Sequence, residues 1–279
     1  MCLLTLLQSI LLGIIQGFTE FLPISSSGHL VIVPYIFGWH IPAQQGFVFD
    51  VLVQLGTLLA VIVYFRKDLY RIILAVINGL LRKQPFSEPS ARMGWLLILA
   101  TIPAIIAGVL FRDPVERAFG SPVAAALFLL VTAAFLVIAE RFGKRNRLLE
   151  SVTWLDALII GLFQAVSLLP GISRSGSTIT GGMLRNLDRT SAARFSFLMS
   201  VPVMLGAGTL AVYDLIQSPS FSAQIPTLVA GFITAFIVGY LAIRWLLAFL
   251  VKRPLYLFAI YCVAVSVVVL LISIVRIAA

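Results

Sequence analysis

Three ionisable side chains, Glu20, His29 and Arg174, stand alone in long apolar stretches of the sequence. Ionisable groups in such surroundings are costly, and they mark functional sites by default. The Glu20 carboxylate is predicted to be a metal ligand or a general base, and the alternative is a structural ion pair with Arg174. The Arg174 guanidinium presents a planar fork that matches phosphate oxygens. Together these groups predict phosphate chemistry.

The nucleophile is the open question in this chemistry. His29 follows three consecutive serines at a break in an apolar segment. This position favours a role as nucleophile or general acid/base over a structural role. Ser26 or a neighbouring serine is the alternative nucleophile, and the spacing of the residues does not decide between them.

Polar residues around these groups supply further ligand atoms. Gln16 lies one helical turn before Glu20, so its amide is predicted to face the same space and to hold a metal, a metal-bound water or a substrate oxygen. The alternative is that it only forms a hydrogen bond across helices. Hydroxyl side chains flank Arg174, and the nearby Gly171 and Gly176 allow the backbone to approach a ligand closely. The candidate substrate-binding residues are Gln16, Ser25, Ser27, Ser173, Ser175 and Thr178.

The composition indicates that lipid surrounds this chain. Of the 279 residues, 61% are hydrophobic and only 11% are charged, whereas a soluble domain is about half apolar and a quarter charged. The net charge is +9, but the basic residues cluster between apolar runs. We therefore assign them to membrane topology rather than to nucleic-acid binding. The two cysteines are far apart and predict neither a disulfide framework nor a metal cluster.

Apolar runs predict an all-α polytopic membrane protein with six transmembrane helices, because about 20 apolar residues cross the hydrocarbon layer. Two further apolar segments, 1–39 and 155–184, are interrupted by proline, glycine and serines. Irregular backbone at membrane depth is tolerated only inside protein or beside a wet cavity, so we predict that each forms a re-entrant helical hairpin. The predicted spans are about 46–65, 93–111, 118–139, 195–213, 215–243 and 254–275.

The basic residues test this topology. Sixteen of the 20 Lys and Arg residues fall into four clusters, at 66–92, 141–147, 185–194 and 244–253. With six spans and two re-entrant hairpins, all four clusters lie on one side, which the positive-inside rule makes cytoplasmic. The region 66–92 is predicted to be a basic loop. The first hairpin then enters from outside and the second from inside.

The two interrupted segments are predicted to be copies of one another within a single membrane domain, 1–279. Six identities recur at a constant spacing of 148 positions, among them Ser25 with Ser173 and Gly28 with Gly176. We predict an inverted repeat, with copies at about 1–140 and 150–279, whose broken helices meet near the midplane. The copies differ in chemistry, because Leu168 stands opposite Glu20 and Arg174 opposite Ser26.

At these motifs the sequence strongly resembles the bacterial undecaprenyl-diphosphatase family of the bacitracin-resistance type. The family pattern (E/Q)xxxE, PxSSxGH and PGxSRSGxT is matched by three segments. They are Gln16-Gly-Phe-Thr-Glu20, Pro23-Ile-Ser-Ser-Ser-Gly-His29 and Pro170-Gly-Ile-Ser-Arg-Ser-Gly-Ser-Thr178. The resemblance extends over the whole chain.

This resemblance implies hydrolysis of undecaprenyl diphosphate to undecaprenyl phosphate and inorganic phosphate, which recycles the lipid carrier of envelope polymers and confers bacitracin resistance. It implies a divalent cation, Mg²⁺ or Ca²⁺, and a bacterial inner-membrane enzyme whose site opens to the periplasmic side. Glu20 would act as metal or acid/base residue, Ser26 and His29 as nucleophile candidates, and Arg174 as the phosphate clamp, supported by Ser173 and Thr178.

One variation within the family pattern affects the metal site. Gln16 occupies the first position of (E/Q)xxxE, so metal binding would depend more on Glu20 alone. Inverted repeats with broken helices are also typical of transporters, so the alternative function is a polyprenyl-phosphate flippase. The sequence leaves the oligomeric state open, with a homodimer among the options.

Overall fold

A computed structural model of the chain describes residues 4–39, 41, 43–216 and 221–278, and within them the regular structure is helical. Residues 1–3 of the first predicted hairpin and 217–220 of the predicted span 215–243 lie outside this description. The helices are α1 (Leu6–Phe21), α2 (Ser26–Phe37), α3 (Ala43–Tyr64), α4 (Arg66–Leu81), α5 (Pro89–Leu110), α6 (Arg112–Phe119), α7 (Pro122–Phe142), α8 (Trp154–Val166), α9 (Arg174–Leu184), α10 (Arg189–Ile216), α11 (Phe221–Lys252) and α12 (Tyr256–Ala278), with a short 3₁₀ turn at Leu149–Ser151.

Several of these helices are long and apolar enough to cross a bilayer. Among the described residues, four helices meet that requirement, namely α5, α7, α11 and α12. The last part of α3 and the helix α4 meet it together, although the chain bends by 79° between them. The chain is therefore a multi-pass helical membrane protein, with α10 outside this set of candidate spans.

The region 66–92, predicted to be a basic loop, contains the 16-residue helix α4. The prediction was wrong because the charges obscured a helical periodicity. Tyr70, Ile73 and Ile77 are exposed on one side, whereas Ala75 and Gly79 are buried. A helix with this pattern is suited to lie along the membrane surface with its exposed apolar side in lipid.

Both interrupted segments form helical pairs, α1–α2 and α8–α9, and each pair begins with the same capping motif. Thr5 caps α1 in a capping box with Gln8. Thr153 caps α8 in a capping box with Asp156. Such boxes satisfy backbone donors that a helix start leaves unpaired. The two boxes are 148 positions apart, so the spacing seen in the motifs extends back to the first residues of each pair.

Close helix packing holds the two pairs in equivalent places. Helix α1 packs on α11 and α8 packs on α5. A side chain at Gly13 would meet the Gly231 carbonyl oxygen at 2.7 Å, and one at Gly161 would meet the Ala100 carbonyl oxygen at 2.5 Å. Small residues are what permit membrane helices to approach this closely. The first helix of each pair is thereby held in place at a position that precedes the motif in the sequence.

Two carboxylates near the α7–α8 connection, Glu140 and Asp156, each pair with two arginines. Arg145 and Arg189 lie 2.7 and 2.6 Å from Glu140 Oε2. Arg147 and Arg185 lie 2.7 and 2.6 Å from the Asp156 oxygens. Burial opposes ionisation of Asp156, but hydrogen bonds from the two arginines outweigh it and hold its pKa well below the usual range. These pairs tie the α7–α8 connection to the α9–α10 turn.

Candidate active site

Two helix N-termini meet at the centre of the molecule. Ser25 caps α2 by accepting a hydrogen bond from the Gly28 amide at 3.3 Å. Ser173 caps α9 in the same way, with the Gly176 amide at 3.0 Å. The N-terminus of a helix carries a partial positive charge and unpaired amides, so it favours an anion. The two helix starts lie close together, so both favour an anion in the same region.

Direct contacts join the two motifs. The Gly171 amide donates to Ser25 Oγ at 3.1 Å, and Ser175 Oγ donates to the Leu22 carbonyl at 3.0 Å. A side chain at Gly28 would come within 3.0 Å of the Gly171 Cα. Gly171 itself has a φ of +101°, a backbone conformation that side chains disfavour. The turns touch because glycine is present on both sides.

Glu20 is the point at which three candidate residues converge. Its Oε1 accepts a hydrogen bond from the Arg174 guanidinium at 2.5 Å. Its Oε2 accepts from Ser26 Oγ at 2.6 Å and from Gln16 Nε2 at 3.0 Å. The carboxylate is only 6% exposed. The structure therefore brings together Glu20, Ser26, Arg174 and Gln16, with the ion pair between Glu20 and Arg174 formed.

The His29 ring makes its hydrogen bonds away from this cluster. Its Nδ1 lies 2.7 Å from the Ser25 carbonyl oxygen, and because a carbonyl only accepts, Nδ1 carries a proton. In the neutral ring Nε2 then accepts from the Tyr261 hydroxyl at 2.9 Å. The two rings stack at 5.6 Å with 12° between their planes. Within the described part of the chain, His29 has no hydrogen bond to Glu20, Ser26 or Arg174.

The remaining predicted substrate-binding residues differ in exposure. Ser173, Ser175 and Thr178 are at most 1% exposed, whereas Ser26 and Ser27 are half-buried. Ser173 Oγ and Ser175 Oγ lie 3.1 Å apart, and Ser27 Oγ lies 3.4 Å from its neighbour Ser25. The hydroxyls of the second motif thus contact protein groups, and those at the start of α2 are the more accessible ones.

A backbone carbonyl of α10 accepts a hydrogen bond from Arg174 and helps to orient it. The Ser196 carbonyl accepts from the guanidinium at 3.3 Å, and the Ser196 hydroxyl lies 2.6 Å from Thr178 Oγ1. Thr178 Oγ1 also lies 2.8 Å from the Arg174 carbonyl, to which it donates. The orientation of the guanidinium therefore depends on α10 as well as on its own helix.

Sequence reasoning missed four supporting residues: Thr57, Thr132, Ser196 and Tyr261. Thr132, on α7, donates to the Gly171 carbonyl and accepts from the Ser173 amide, both at 2.8 Å. Thr57 lies 3.5 Å from the Gln16 amide nitrogen. Thr57 and Thr132 are the one threonine of α3 and of α7, neither of which contains serine, so the sequence carried a signal for both. Ser196 and Tyr261 have similar residues on their own helices, so only their position in the fold distinguishes them.

The donor set around Glu20 suits a metal ion that is shared with a ligand. Within the described residues no group of three or more His, Cys, Asp or Glu side chains forms a metal site. Both Glu20 oxygens already accept hydrogen bonds. Mg²⁺ is commonly held by one or two carboxylates together with substrate phosphates. The Glu20 carboxylate and the Gln16 amide fit such a shared site, and they do not form a cage by themselves.

The model of the family described as bacitracin resistance protein BacA matches residues 9–268. This chain belongs to that family. Proteins named undecaprenyl-diphosphatase are 45% identical in Chlorobaculum tepidum over 266 residues (92% of this chain, 93% of the relative) and 43% identical in Rubrobacter xylanophilus over 267 residues (96% and 98%). One from Myxococcus xanthus is 40% identical over 267 residues (96% and 89%). The matched range includes the second hairpin, the first hairpin from residue 9 onward and every candidate site residue.

Proposed function

We propose that this protein hydrolyses undecaprenyl diphosphate to undecaprenyl phosphate and inorganic phosphate. The reaction recycles the lipid carrier of peptidoglycan and other envelope polymers and confers resistance to bacitracin. Membership of the BacA family and the relatives named undecaprenyl-diphosphatase support this proposal. The observation that carries it is the Glu20 carboxylate, which holds a serine hydroxyl on one oxygen and an arginine on the other.

Ser26 is the nucleophile in this proposal, and Glu20 is its base. The Ser26 hydroxyl donates to Glu20 Oε2 at 2.6 Å, within the range of a general base. Glu20 takes the proton as Ser26 Oγ attacks the terminal phosphorus and the bond to the bridging oxygen breaks. The polyprenyl monophosphate leaves, and water then cleaves the phosphoserine to release inorganic phosphate and regenerate the hydroxyl.

Arg174 and the two helix ends stabilise the transferred phosphoryl group. Phosphoryl transfer requires mainly positioning and the neutralisation of spread negative charge. The guanidinium lies on the opposite oxygen of the same carboxylate as Ser26, so it is next to the reacting hydroxyl. The amides at the starts of α2 and α9 add donors on the same side.

A divalent cation, Mg²⁺ or Ca²⁺, completes the site. Glu20 and Gln16 would hold it together with diphosphate oxygens. When bound, it supplies positive charge that neutralises those oxygens. The single carboxylate and the neighbouring amide support this assignment, because the substrate supplies the remaining oxygen ligands.

An apolar groove between α7 and α12 is the proposed location of the polyprenyl tail. The groove has a volume of about 600 Å³ and is lined by Ala133, Val137, Ile260 and Val263, among others. Its walls adjoin both motifs, because Thr132 on α7 binds the second turn and Tyr261 on α12 binds His29. A tail in this groove would place the diphosphate near the helix ends.

For the membrane arrangement we propose six spans, α3, α5, α7, α10, α11 and α12, and two re-entrant pairs, α1–α2 and α8–α9. The pairs enter from opposite sides as an inverted repeat. In a bacterial inner membrane the basic side is cytoplasmic, and the site opens to the periplasmic side. The equivalent caps and packing partners of the two pairs support this arrangement. A homodimer is one oligomeric state that is compatible with this arrangement.

The paired hairpins also favour a second candidate function, transfer of polyprenyl phosphate between leaflets, because broken helices in repeats are typical of transporters. Reconstituted vesicles distinguish the two. Lipid transfer between leaflets that persists in a Ser26→Ala variant supports transport. If the variant loses both lipid transfer and hydrolysis, only the phosphatase function is supported.

The primary test is phosphate release by the purified full-length protein from a C55 diphosphate in detergent. We expect release that needs Mg²⁺ or Ca²⁺ and stops with EDTA. Arg174→Ala should lower the rate at least about 100-fold, because it removes the clamp on the transferred group. The matched control Arg117→Ala removes an exposed arginine of α6 and should stay within twofold. A loss of less than tenfold on Arg174→Ala contradicts the clamp.

A further inference from the structure

A second polar cavity, of about 510 Å³, lies between α4, the start of α5 and the start of α10. Three arginines line it, Arg71, Arg92 and Arg194, against two carboxylates, Asp68 and Glu150. It belongs to the basic side of the molecule. None of its lining residues is among those around Glu20.

Two of the three arginines are not neutralised by a carboxylate. Arg194 lies 3.2 Å from Asp68. Arg71 has no hydrogen bond or ion pair within the described part of the chain. Arg92 makes one long contact, 3.4 Å to the Val152 carbonyl, and its Nε is buried without a partner among the same residues. A buried donor without a partner destabilises the protein, so an external acceptor would relieve that cost.

The N-terminus of α5 points to the same kind of ligand. The helix begins at Pro89, and the side chain of its N-cap residue, Glu88, makes no capping hydrogen bond. Ser90, in the first turn, lines the cavity. The cavity therefore combines unpaired guanidinium donors with a 22-residue helix end that lacks a side-chain cap, and both favour an anion.

Apolar surfaces beside these donors indicate a ligand at the membrane surface. Ile72, Met93 and Leu198 form part of the lining. Helix α4 presents exposed apolar residues on its outer side, including Tyr70 and Leu81. A headgroup in the cavity could keep its hydrocarbon chains in the lipid against α4.

One helix separates this cavity from the candidate active site. Arg194 and Leu198, four positions apart on α10, line the cavity. Ser196, between them, lies on the opposite side of the helix and binds Arg174 through its carbonyl. The cavity and the candidate active site therefore lie on opposite sides of α10.

We propose that this cavity is a second anion site, which binds a phosphate group on the basic side of the membrane. The phosphate group is carried by a membrane lipid or is free inorganic phosphate. Arg71, Arg92 and the start of α5 bind it, and this binding does not depend on hydrolysis at Glu20.

The test measures ligand binding in an Arg174→Ala background, which weakens the candidate active site. Native mass spectrometry of the full-length protein in detergent counts adducts of dioleoyl phosphatidate, with dioleoylglycerol as the uncharged control. The cavity variant is Arg71→Ala/Arg92→Ala. The matched variant Lys67→Ala/Arg82→Ala removes the same charge from two exposed positions outside the cavity, one in the first turn of α4 and one at its C-cap. Thermal unfolding establishes that each variant is folded.

We expect the cavity variant to lose at least tenfold in affinity and the matched variant to stay within twofold. Equal affinity in all variants, or equal losses in both double variants, overturns the site, because binding would then follow general surface charge. Inorganic phosphate identifies the source. Displacement of phosphatidate at equal concentration assigns free phosphate, and displacement only at a tenfold excess or more assigns a lipid. Binding of neither ligand overturns the proposal.

Discussion

The two hairpins have the same construction and different surroundings. Both start with a capping box and both place a serine cap at the second helix. In α9 every residue from Ser175 to Met183 is buried, whereas α2 buries only Gly28, His29 and Ile32. The second hairpin is thus the more closely packed of the two, and the first leaves its helix start more accessible. In the proposed function the packed copy supports the site and supplies the Arg174 clamp, and the more accessible copy supplies Ser26 and its base Glu20.

Neither hairpin contains the site alone. Glu20 and Ser26 come from the first, and Arg174 comes from the second. At the equivalent positions stand Leu168 for Glu20 and Arg174 for Ser26. The division of acid and cation between copies means that the ion pair forms only when the copies are folded together.

The largest expected effect separates reactive from supporting hydroxyls within the first hairpin. Ser26→Ala should lower phosphate release at least about 100-fold, because it removes the group that Glu20 would deprotonate. The matched Ser27→Ala should cost less than about fivefold, since within the described residues the Ser27 hydroxyl bonds only to its neighbour Ser25. Rapid acid quench with labelled substrate should trap an acid-stable phosphoserine. Acid-labile phosphohistidine at His29 would contradict this assignment.

A glycine comparison tests whether the second hairpin is the support. Gly171→Ala places a Cβ against the Ala125 carbonyl oxygen and 2.8 Å from the Phe128 Cβ, at a φ of +101°. At Gly38 the φ is +65°, and an added Cβ would meet no atom of the described residues within 4 Å. We expect Gly171→Ala to destabilise by about 3 kcal/mol, and Gly38→Ala by about 1 kcal/mol, from strain alone.

Thermal unfolding followed by tryptophan fluorescence measures both variants. Equal melting temperatures for the two variants would mean that the turn at Gly171 accommodates a side chain. The second hairpin would then not be the closely packed support of the site.

The smallest expected effect concerns the hydrogen bond between Tyr261 and His29 of the first motif. Tyr261→Phe removes the hydrogen bond to His29 Nε2 and keeps the stacked ring. A single hydrogen bond contributes about 0.5–1.5 kcal/mol, so we expect a two- to tenfold fall in kcat. Tyr35→Phe, which removes a hydrogen bond to Ser273, is the matched control and should change kcat less than twofold. A fall above 100-fold on Tyr261→Phe would give His29 a direct part in the chemistry.

The sequence predicted the features that depend on local composition. Pro23 and Gly171 interrupt apolar runs, and the helices break at both turns. The spacing of 148 positions, taken from the motifs, recurs in the structure from Thr5 to Thr153.

From the repeat we predicted a cluster of Glu20, His29 and Arg174. The structure joins Glu20 to Arg174 and to Ser26, whereas the His29 ring bonds to Ser25 and Tyr261. The roles of these residues stay a prediction.

Other features depend on contacts that no local pattern contains. The partner of His29 is Tyr261, 232 positions away, and the contact of Thr132 with the second turn depends on how α7 packs. Helix α4 was missed because its charges were taken as a topology marker. In each case the residue type was visible in the sequence, and its neighbours came from the fold.

The ion pair between Glu20 and Arg174 has a consequence for selectivity. While it is formed, the carboxylate occupies the guanidinium that a phosphate would use. Under the proposed function a ligand must outcompete an internal anion for Arg174, which would disfavour neutral lipids and weakly charged headgroups. The monophosphate product carries less charge than the diphosphate substrate and competes less well with Glu20. Re-formation of the pair would therefore help to expel the product and protect the site from inhibition by the lipid that it generates.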